Sequence, residues 1–449
     1  MTTATLEPPA ATSLAPWAEA FERLRQERSG EPRFLAELRR HAFDRFLELG
    51  FPTTRQEEWR FTNVSALART SFTPPAAGPA VRAAEADRFG WPGGIRLIFV
   101  DGRFAPALST LEGLPAGLRV ASLAEVLARE PERLEGRLGA WASFAEHPFV
   151  ALSTAFFTDG AYLETARGAV IEEPVQLIFL TTAAPEPSAV FPRLLVVAGE
   201  ASQLTLVETY ASLGEGVTFT CAVTEVAAGA AAVVDHYKRQ MESVSAYHLA
   251  TLQFHQERAS NLFSHSISTG GALVRNDVNA VLDGEGAECT LNGLYVLRGT
   301  QFLDNHMRVD HAKAHCNSFE LFKGVLDERS RAVFNGRIFV AKGAQKTDAK
   351  QSSRNLLLSR EALVNANPQL EIFADDVKCT HGSTVGQLDE DAIFYLRSRG
   401  IGEEAARSLL TYAFAADIVE RLKVEPLRRE VEEFLFHRLP KGEIVRQAV

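Results

Sequence analysis

The apolar positions of the chain change period four times. From Trp17 to Gly50 they recur at helical spacing, with Phe34, Leu38, His41, Ala42 and Leu49 on one broad face, and predict two helices broken at Ser29-Gly30. The stretch "FPTTRQEEWRFTNVSAL" predicts a turn at Pro52 followed by two large apolar anchors, Trp59 and Phe61. Residues 72–95, rich in Pro, Ala and Gly, form a connector. "IRLIFVDGRF" predicts a strand, a turn at Asp101-Gly102 and a return, and 121–146 is helical again. From 150 onward short runs of Val, Leu, Phe and Thr between Gly, Asn or Asp predict strands. After Leu388 the helical period returns. There Leu409, Leu410, Ala413, Phe414, Asp417 and Ile418 line one side of a helix, and Glu403 and Glu404 sit in its first turn, where the helix dipole favours acids.

The strand region repeats. "AGEASQLTLVET", "AAGAAAVVDHYK", "QERASNLFSHSI" and "GEGAECTLNGLY", aligned on Ala201, Ala231, Ala259 and Ala287, recur at spacings of 30, 28 and 28, with a weaker copy at Ala314. Strands and turns at this period without helices between them predict stacked coils, a parallel β-helix, over a sandwich of antiparallel hairpins. The expected organisation is a disordered tail (1–16), an N-terminal helical or mixed domain (17–149), a β-helix core (150–387) and a C-terminal helical domain (388–449). The last is expected to cover the end coil and to offer a docking surface for a partner.

Composition narrows the class. Of 449 residues, 46% are hydrophobic and 23% charged, the balance of a globular protein able to bury a large core. The formal net charge of -10 gives no footprint for nucleic acid or an anionic membrane. Four scattered cysteines, Cys221, Cys289, Cys316 and Cys379, are too few for a disulfide framework and fit a reducing compartment. The opening residues show neither a secretory nor an Arg-rich transit pattern, so a cytoplasmic location is expected.

Three stretches could carry chemistry. "GAQKTDAK" (343–350) has a Lys-Thr pair but lacks the glycine that a phosphate loop places before the lysine, so this chain is not expected to bind ATP. "DNHMRVDHAKAHCNSF" holds His306, His311, His315 and Cys316. These residue types suit zinc, iron or copper, yet on strands such neighbours point to opposite faces, and hydrogen-bonded polar residues are the plainer reading. In "DDVKCTHGSTVG", Cys379 and His381 stand two apart and share one face of a strand, with Lys378 and Thr380 opposite. Sulfur and imidazole together could hold a soft metal or a sulfur species, and could equally be a packed cysteine and a hydrogen-bonded histidine. Asp375 and Asp376, adjacent and therefore divergent on a strand, argue against the paired carboxylates of a β-helical carbohydrate-active enzyme.

Beyond these patterns the sequence resembles the SufB/SufD family of scaffold proteins in the SUF system of iron-sulfur cluster assembly. The resemblance rests on "RQEEWRFTNVSAL", on "DNHMRVDHAKAHCNSFELFKGVLDERSRAVFNGRIFVAKGAQKTDAKQSSRNLLLS" and on "NANPQLEIFADDVKCTHGSTVGQLDEDAIFYLRSRGI". It is strong from about 300 to 402 and supportive at 51–67. Gly382 after the histidine resembles the SufD side of the family, since SufB-like sequences carry glutamate there. The resemblance implies a right-handed parallel β-helix flanked by helical domains and a non-catalytic scaffold role. The implied partners are SufB, the ATPase SufC, and a sulfur donor made of a cysteine desulfurase with a SufE- or SufU-type protein. It implies a nascent Fe-S cluster at the SufB interface with His381 as a transient iron ligand and Cys379 as its neighbour, and SufC docking on the C-terminal helices, where Leu410 and Phe414 are candidates. It also implies a reduced FAD bound by the whole complex. A SufB-type homodimer that holds the cluster itself is the alternative within the family.

Overall fold

A computed structural model describes residues 14–75 and 81–448. The expected tail therefore lies mostly outside the described residues, as does part of the 72–95 connector, and the first helix already starts at Ala15. Two helices, Ala15–Glu27 and Arg33–Leu49, flank the predicted break.

Two ten-stranded sheets form the centre of the molecule. From Arg193–Ala198 to Lys378–Gly386 each strand belongs to the sheet opposite its predecessor and pairs in parallel with the strand two places away in sequence. Every two strands thus make one coil, and the fold is a parallel β-solenoid with helices at its N- and C-terminal ends of sequence. The parallel register excludes the antiparallel sandwich. The sheets take in residues earlier than 150, since Ile95–Val100 pairs in parallel with Val175–Thr181, and Leu118–Ser122 pairs antiparallel with Gly160–Thr165.

The repeat is visible as a ladder of corners. Gly168, Ala201, Ala231, Ala259, Gly286, His315 and Lys346 all have positive φ, and each donates its N–H to a carbonyl in the next coil. The sequence alignment is right at Ala201, Ala231 and Ala259 and one residue off afterwards: the equivalent positions are Gly286 and His315, not Ala287 and Ala314. Coils of unequal length move the corner, and the backbone conformation decides equivalence where the side chain does not.

Strands of the middle coils are buried on both faces. Inward residues such as Leu206, Val234, Leu252, Phe254 and Leu291 fill the lumen. Outward residues of one sheet (Phe219, Cys221, Leu249) pack under the N-terminal helices with Trp17, Phe21 and Phe46. Outward residues of the other (Val207, Tyr237, Leu294, Val325) pack under the C-terminal helices with Tyr412, Ala415 and Ile418. At about 25 cal/mol per Å² of apolar surface these two outer layers contribute as the lumen does. The C-terminal helices therefore flank a sheet and leave the end coil uncovered, contrary to the expected cap.

Residues 134–146, expected as helix, are turns. Helix Leu123–Arg129 stops ahead of Pro131, and Gly136 and Gly139 adopt positive φ. What holds the loop is Glu225, fully buried on a strand. Its carboxylate accepts the backbone N–H of Gly139 (2.9 Å), Trp141 (3.0 Å) and Ala142 (2.9 Å), and pairs with buried Arg193 at 2.5 Å.

Candidate functional site: the uncovered last coil

Strand Lys378–Gly386 ends one sheet and strand Leu363–Ile372 ends the other. Each pairs on one side only. In the coil before, the inward residues Ala332, Phe334, Gly336, Ile338 and Val340 are buried. Their register partners Val364, Ala366, Pro368, Leu370 and Ile372 are partly or fully exposed. Leu363, Ile372, Phe373 and Val385 are among the exposed large hydrophobic residues. This end of the solenoid thus presents apolar side chains and two open strand edges, a surface built to be covered.

Cys379 and His381 lie on this end, and both face the lumen side, as the period of two predicts. Cys379 is opposite Ala349, and half-buried it packs beside Val340, Ala344 and Ala349. Burial pushes its thiol up, so without a partner it is a poor thiolate. His381 is opposite Gln351 and exposed, and among the described residues its ring has no hydrogen-bond partner. Asp375 and Asp376 stand in the corner before the strand, where Asp376 pairs with Lys346.

Deeper in the lumen the polar residues are matched to one another. Glu208 accepts hydrogen bonds from Tyr210 (2.7 Å) and Thr224 (3.0 Å) and lies 2.7 Å from His236, whose other nitrogen meets Ser264 at 2.9 Å. Lys238 donates to His248 (2.8 Å) and to Asn276, and Nδ1 of His248 is 2.7 Å from Glu242. All of these are buried. Burial alone would raise both carboxyls. The bond and charge of His236, the Tyr210 bond and the Lys238 charge hold Glu208 below the usual range, and His248, Thr220 and Gln240 do so for Glu242. Burial brings Lys238 down to about 8. Sequence reading missed this network, although "VVDHYKRQ" carries the signal: His236, Lys238 and Gln240 fall on the inward alternate positions.

The His/Cys cluster disperses. His306 faces outward against Glu58 in the "RQEEWRFTNVSAL" motif, while His311 faces inward and meets Ser318 at 2.8 Å. His315 is a corner residue and Cys316 is buried, with its Sγ 3.2 Å from the Gly284 carbonyl. Among the described residues no group of three or more His, Cys, Asp or Glu is placed to hold a metal. The Glu58 motif clasps the solenoid: Trp59 is buried with the Arg275 guanidinium 3.8 Å over its ring, whereas Phe61, expected as a second anchor, is 43% exposed. A cleft of about 370 Å³ beside it contains Arg275, Arg308 and Arg337, each paired with a carboxylate.

On helix Glu403–Val419 the buried residues are Ala405, Ala406, Ser408, Thr411, Tyr412, Ala415, Ile418 and Val419, a set rotated from the predicted face, which shares only Ile418 with it. Small residues let this helix approach the sheet. Leu410 and Phe414 are partly covered, packed near Leu356 and Ile393, and Lys323 reaches from a strand to the Phe414 carbonyl (2.9 Å) and to Asp417 (2.8 Å). The exposed aromatic residues here are Phe394 (70%) and Tyr395 (57%), on helix Glu390–Ser398.

Residues 179–414 match the family model described as "SUF system FeS cluster assembly, SufBD core domain", and residues 17–177 match "SufBD protein N-terminal region". The chain belongs to the SufBD family. Among SufBD relatives, it is 32% identical to the iron-sulfur cluster assembly protein SufD of Escherichia coli over 97% of this chain and 99% of that one. It is 34% identical to a SufBD family protein of Synechocystis over 90% and 91% of the two chains, and 27% identical to the chloroplastic protein ABCI7 of Arabidopsis thaliana over 88% and 84%. This SufBD protein therefore acts in iron-sulfur cluster assembly, and no helix among its described residues is long and apolar enough to cross a membrane.

Proposed function

We propose that the chain is a SufD-type, non-catalytic scaffold subunit, which pairs through its uncovered last coil with SufB and presents His381 to the iron or sulfide of a nascent Fe-S cluster at that interface. The observation that carries this reading is the coincidence of an imidazole without a hydrogen-bond partner among the described residues with a last coil whose lumen, strand edges and apolar residues are all left open. A neutral imidazole suits iron, a metal that accepts nitrogen as well as sulfur. Cys379, two residues away and half-buried, is its neighbour on the same face of the strand. The cluster is cargo, made with sulfur from a cysteine desulfurase and its SufE- or SufU-type partner and driven by ATP hydrolysis on SufC. A reduced FAD carried by the complex belongs to the same reading and is assigned to none of this chain's residues. The reading places these events in the cytoplasm.

SufC, in this reading, docks on the C-terminal helices. Leu410 and Phe414 support that surface from beneath, and Phe394 and Tyr395 offer the contact, so Phe394→Glu releases SufC with the fold intact while Leu410→Glu loosens the helices themselves.

The test is co-expression of the tagged chain with SufB and SufC, anaerobic purification, and absorption spectra of wild type and His381→Ala. Co-purification of all three with a chromophore in the wild type alone is expected. A full chromophore in His381→Ala overturns the role of the histidine, and a wild-type chain that purifies alone overturns the pairing. A cluster held by the chain by itself points to the SufB-type homodimer.

A further inference from the structure

Directly beneath His381 lies a buried pair that the lumen network does not include. Glu320, Gln351 and His381 are register partners on three successive strands, all facing the lumen. Neighbouring strands stand about 4.8 Å apart, so the three side chains stack as rungs. Gln351 Nε2 donates to Glu320 Oε2 at 2.9 Å. Both groups are buried, and the remaining oxygen of each, Glu320 Oε1 and Gln351 Oε1, has no partner. Two buried orphan acceptors on groups already joined to each other are costly, and one proton removes the cost. A protonated Glu320 donates its O–H to Gln351 Oε1, closing a two-point acid–amide ring. Burial favours that state, pushing the Glu320 carboxyl up to about 8. Gly336 on the facing sheet gives the Gln351 amide its room, since a Cβ there would overlap it.

An amide oxygen has two lone pairs. With one engaged by Glu320, the other remains available to a donor on the next rung, His381. We propose that Gln351, oriented by Glu320, is a positioning residue for His381: when the exposed ring turns toward the lumen, Gln351 Oε1 accepts the N–H of one imidazole nitrogen and leaves the lone pair of the other turned to the open end. Histidines that bind metals are commonly held in one tautomer by such a partner behind the ring. The inference rests on the reading of His381 as the group that meets the cluster, but its test does not.

The full chain is labelled with ¹⁵N-histidine, and the tautomer ratio of His381 is read from long-range ¹H–¹⁵N ring correlations, the signal being assigned by its loss in His381→Ala. The wild type is expected to show one dominant tautomer. Gln351→Met keeps the side chain's length and removes its amide, and shifts the ratio about fivefold toward that of a free imidazole, the usual worth of one hydrogen bond. Glu320→Met does the same from two strands away. Glu320→Gln, which can replace the acid in the ring, keeps the wild-type ratio, and it guards against variants that fail to fold, as checked by circular dichroism. An unchanged ratio in Gln351→Met overturns the proposal, and so does a Glu320→Gln ratio shifted as far as that of Glu320→Met. If the ratio shifts as expected while His381→Ala still matures clusters, the positioning stands and the cluster role of His381 falls.

Discussion

At the level of Glu208, His236 and Lys238 the lumen is closed by a coil on either side, and at the level of Cys379 and His381 it is closed on one side only. The strands, the alternation and the parallel register are the same in both places. In the middle the charged groups Glu208, Lys238 and Glu242 each have a counterpart within reach of a hydrogen bond, as burial away from solvent demands. At the end the imidazole of His381 stands exposed with no such counterpart among the described residues. Identical architecture thus yields a structural polar core in one region and an exposed imidazole in the other, and the number of neighbouring coils decides which.

The largest effect that separates the two regions is on stability. Lys238→Ala leaves Glu242 and His248 without their buried cation, and Glu208→Ala strips His236 and Tyr210; each is expected to lose about 3–5 kcal/mol in denaturant unfolding. His381→Ala, on the exposed coil, is expected to stay within about 0.5 kcal/mol of wild type. Equal losses in the two regions would erase the distinction.

Next in size is a pH dependence located between them. Glu320 has its folded pKa raised to about 8 from an ordinary value near 4.5, so between those limits the folded protein keeps a proton that the unfolded chain releases. Stability contributed by that proton is full below the lower limit and is lost as pH rises to about 8. Lys238, lowered to about 8, acts in the opposite direction, because the unfolded chain holds its proton up to about 10.5 and stability rises with pH between 8 and that value. Glu320→Gln is therefore expected to remove a decline of a few kcal/mol between pH 5 and 8. An unaltered pH profile in this variant would mean that the acid is not held neutral.

A smaller effect concerns the open end alone. Val385 is 47% exposed on the last strand. Val385→Lys is expected to reduce co-purification with SufB by tenfold or so, a loss of about 1.4 kcal/mol, while the melting temperature of the isolated chain stays put. The smallest concerns the corners. Ala201, Ala231 and Ala259 hold a positive φ that glycine adopts freely. Ala259→Gly is expected to stabilise by about 0.5–1 kcal/mol, since the relief of the left-handed backbone exceeds the added entropy of glycine.

The coils could be read from the sequence because each strand repeats at a near-constant period. The facing of Cys379 and His381 could be read because side chains alternate strictly along a strand. What escaped were the features set by partners far away in sequence. The 134–146 segment has a helical composition, but its backbone donors go to Glu225, over eighty residues on. The openness of the last coil depends on where the C-terminal helices dock, and that is decided by outward apolar residues such as Tyr237 and Val325, which are indistinguishable in sequence from lumen residues. The buried stripe of helix Glu403–Val419 differs from the predicted face because close packing there uses alanine and serine, which hydropathy ranks below the leucines and phenylalanine beside them.

The corner ladder also makes the molecule a ruler. Six steps from Gly168 to Lys346, at about 4.8 Å each, amount to roughly 29 Å. Whatever grips the flanking helices is held at a distance from the open end that changes only in whole rungs. Removing one complete coil, such as residues 231–258, would shorten the reach by one unit and turn nothing inside out, because the residues on either side of the cut occupy equivalent places in the stack.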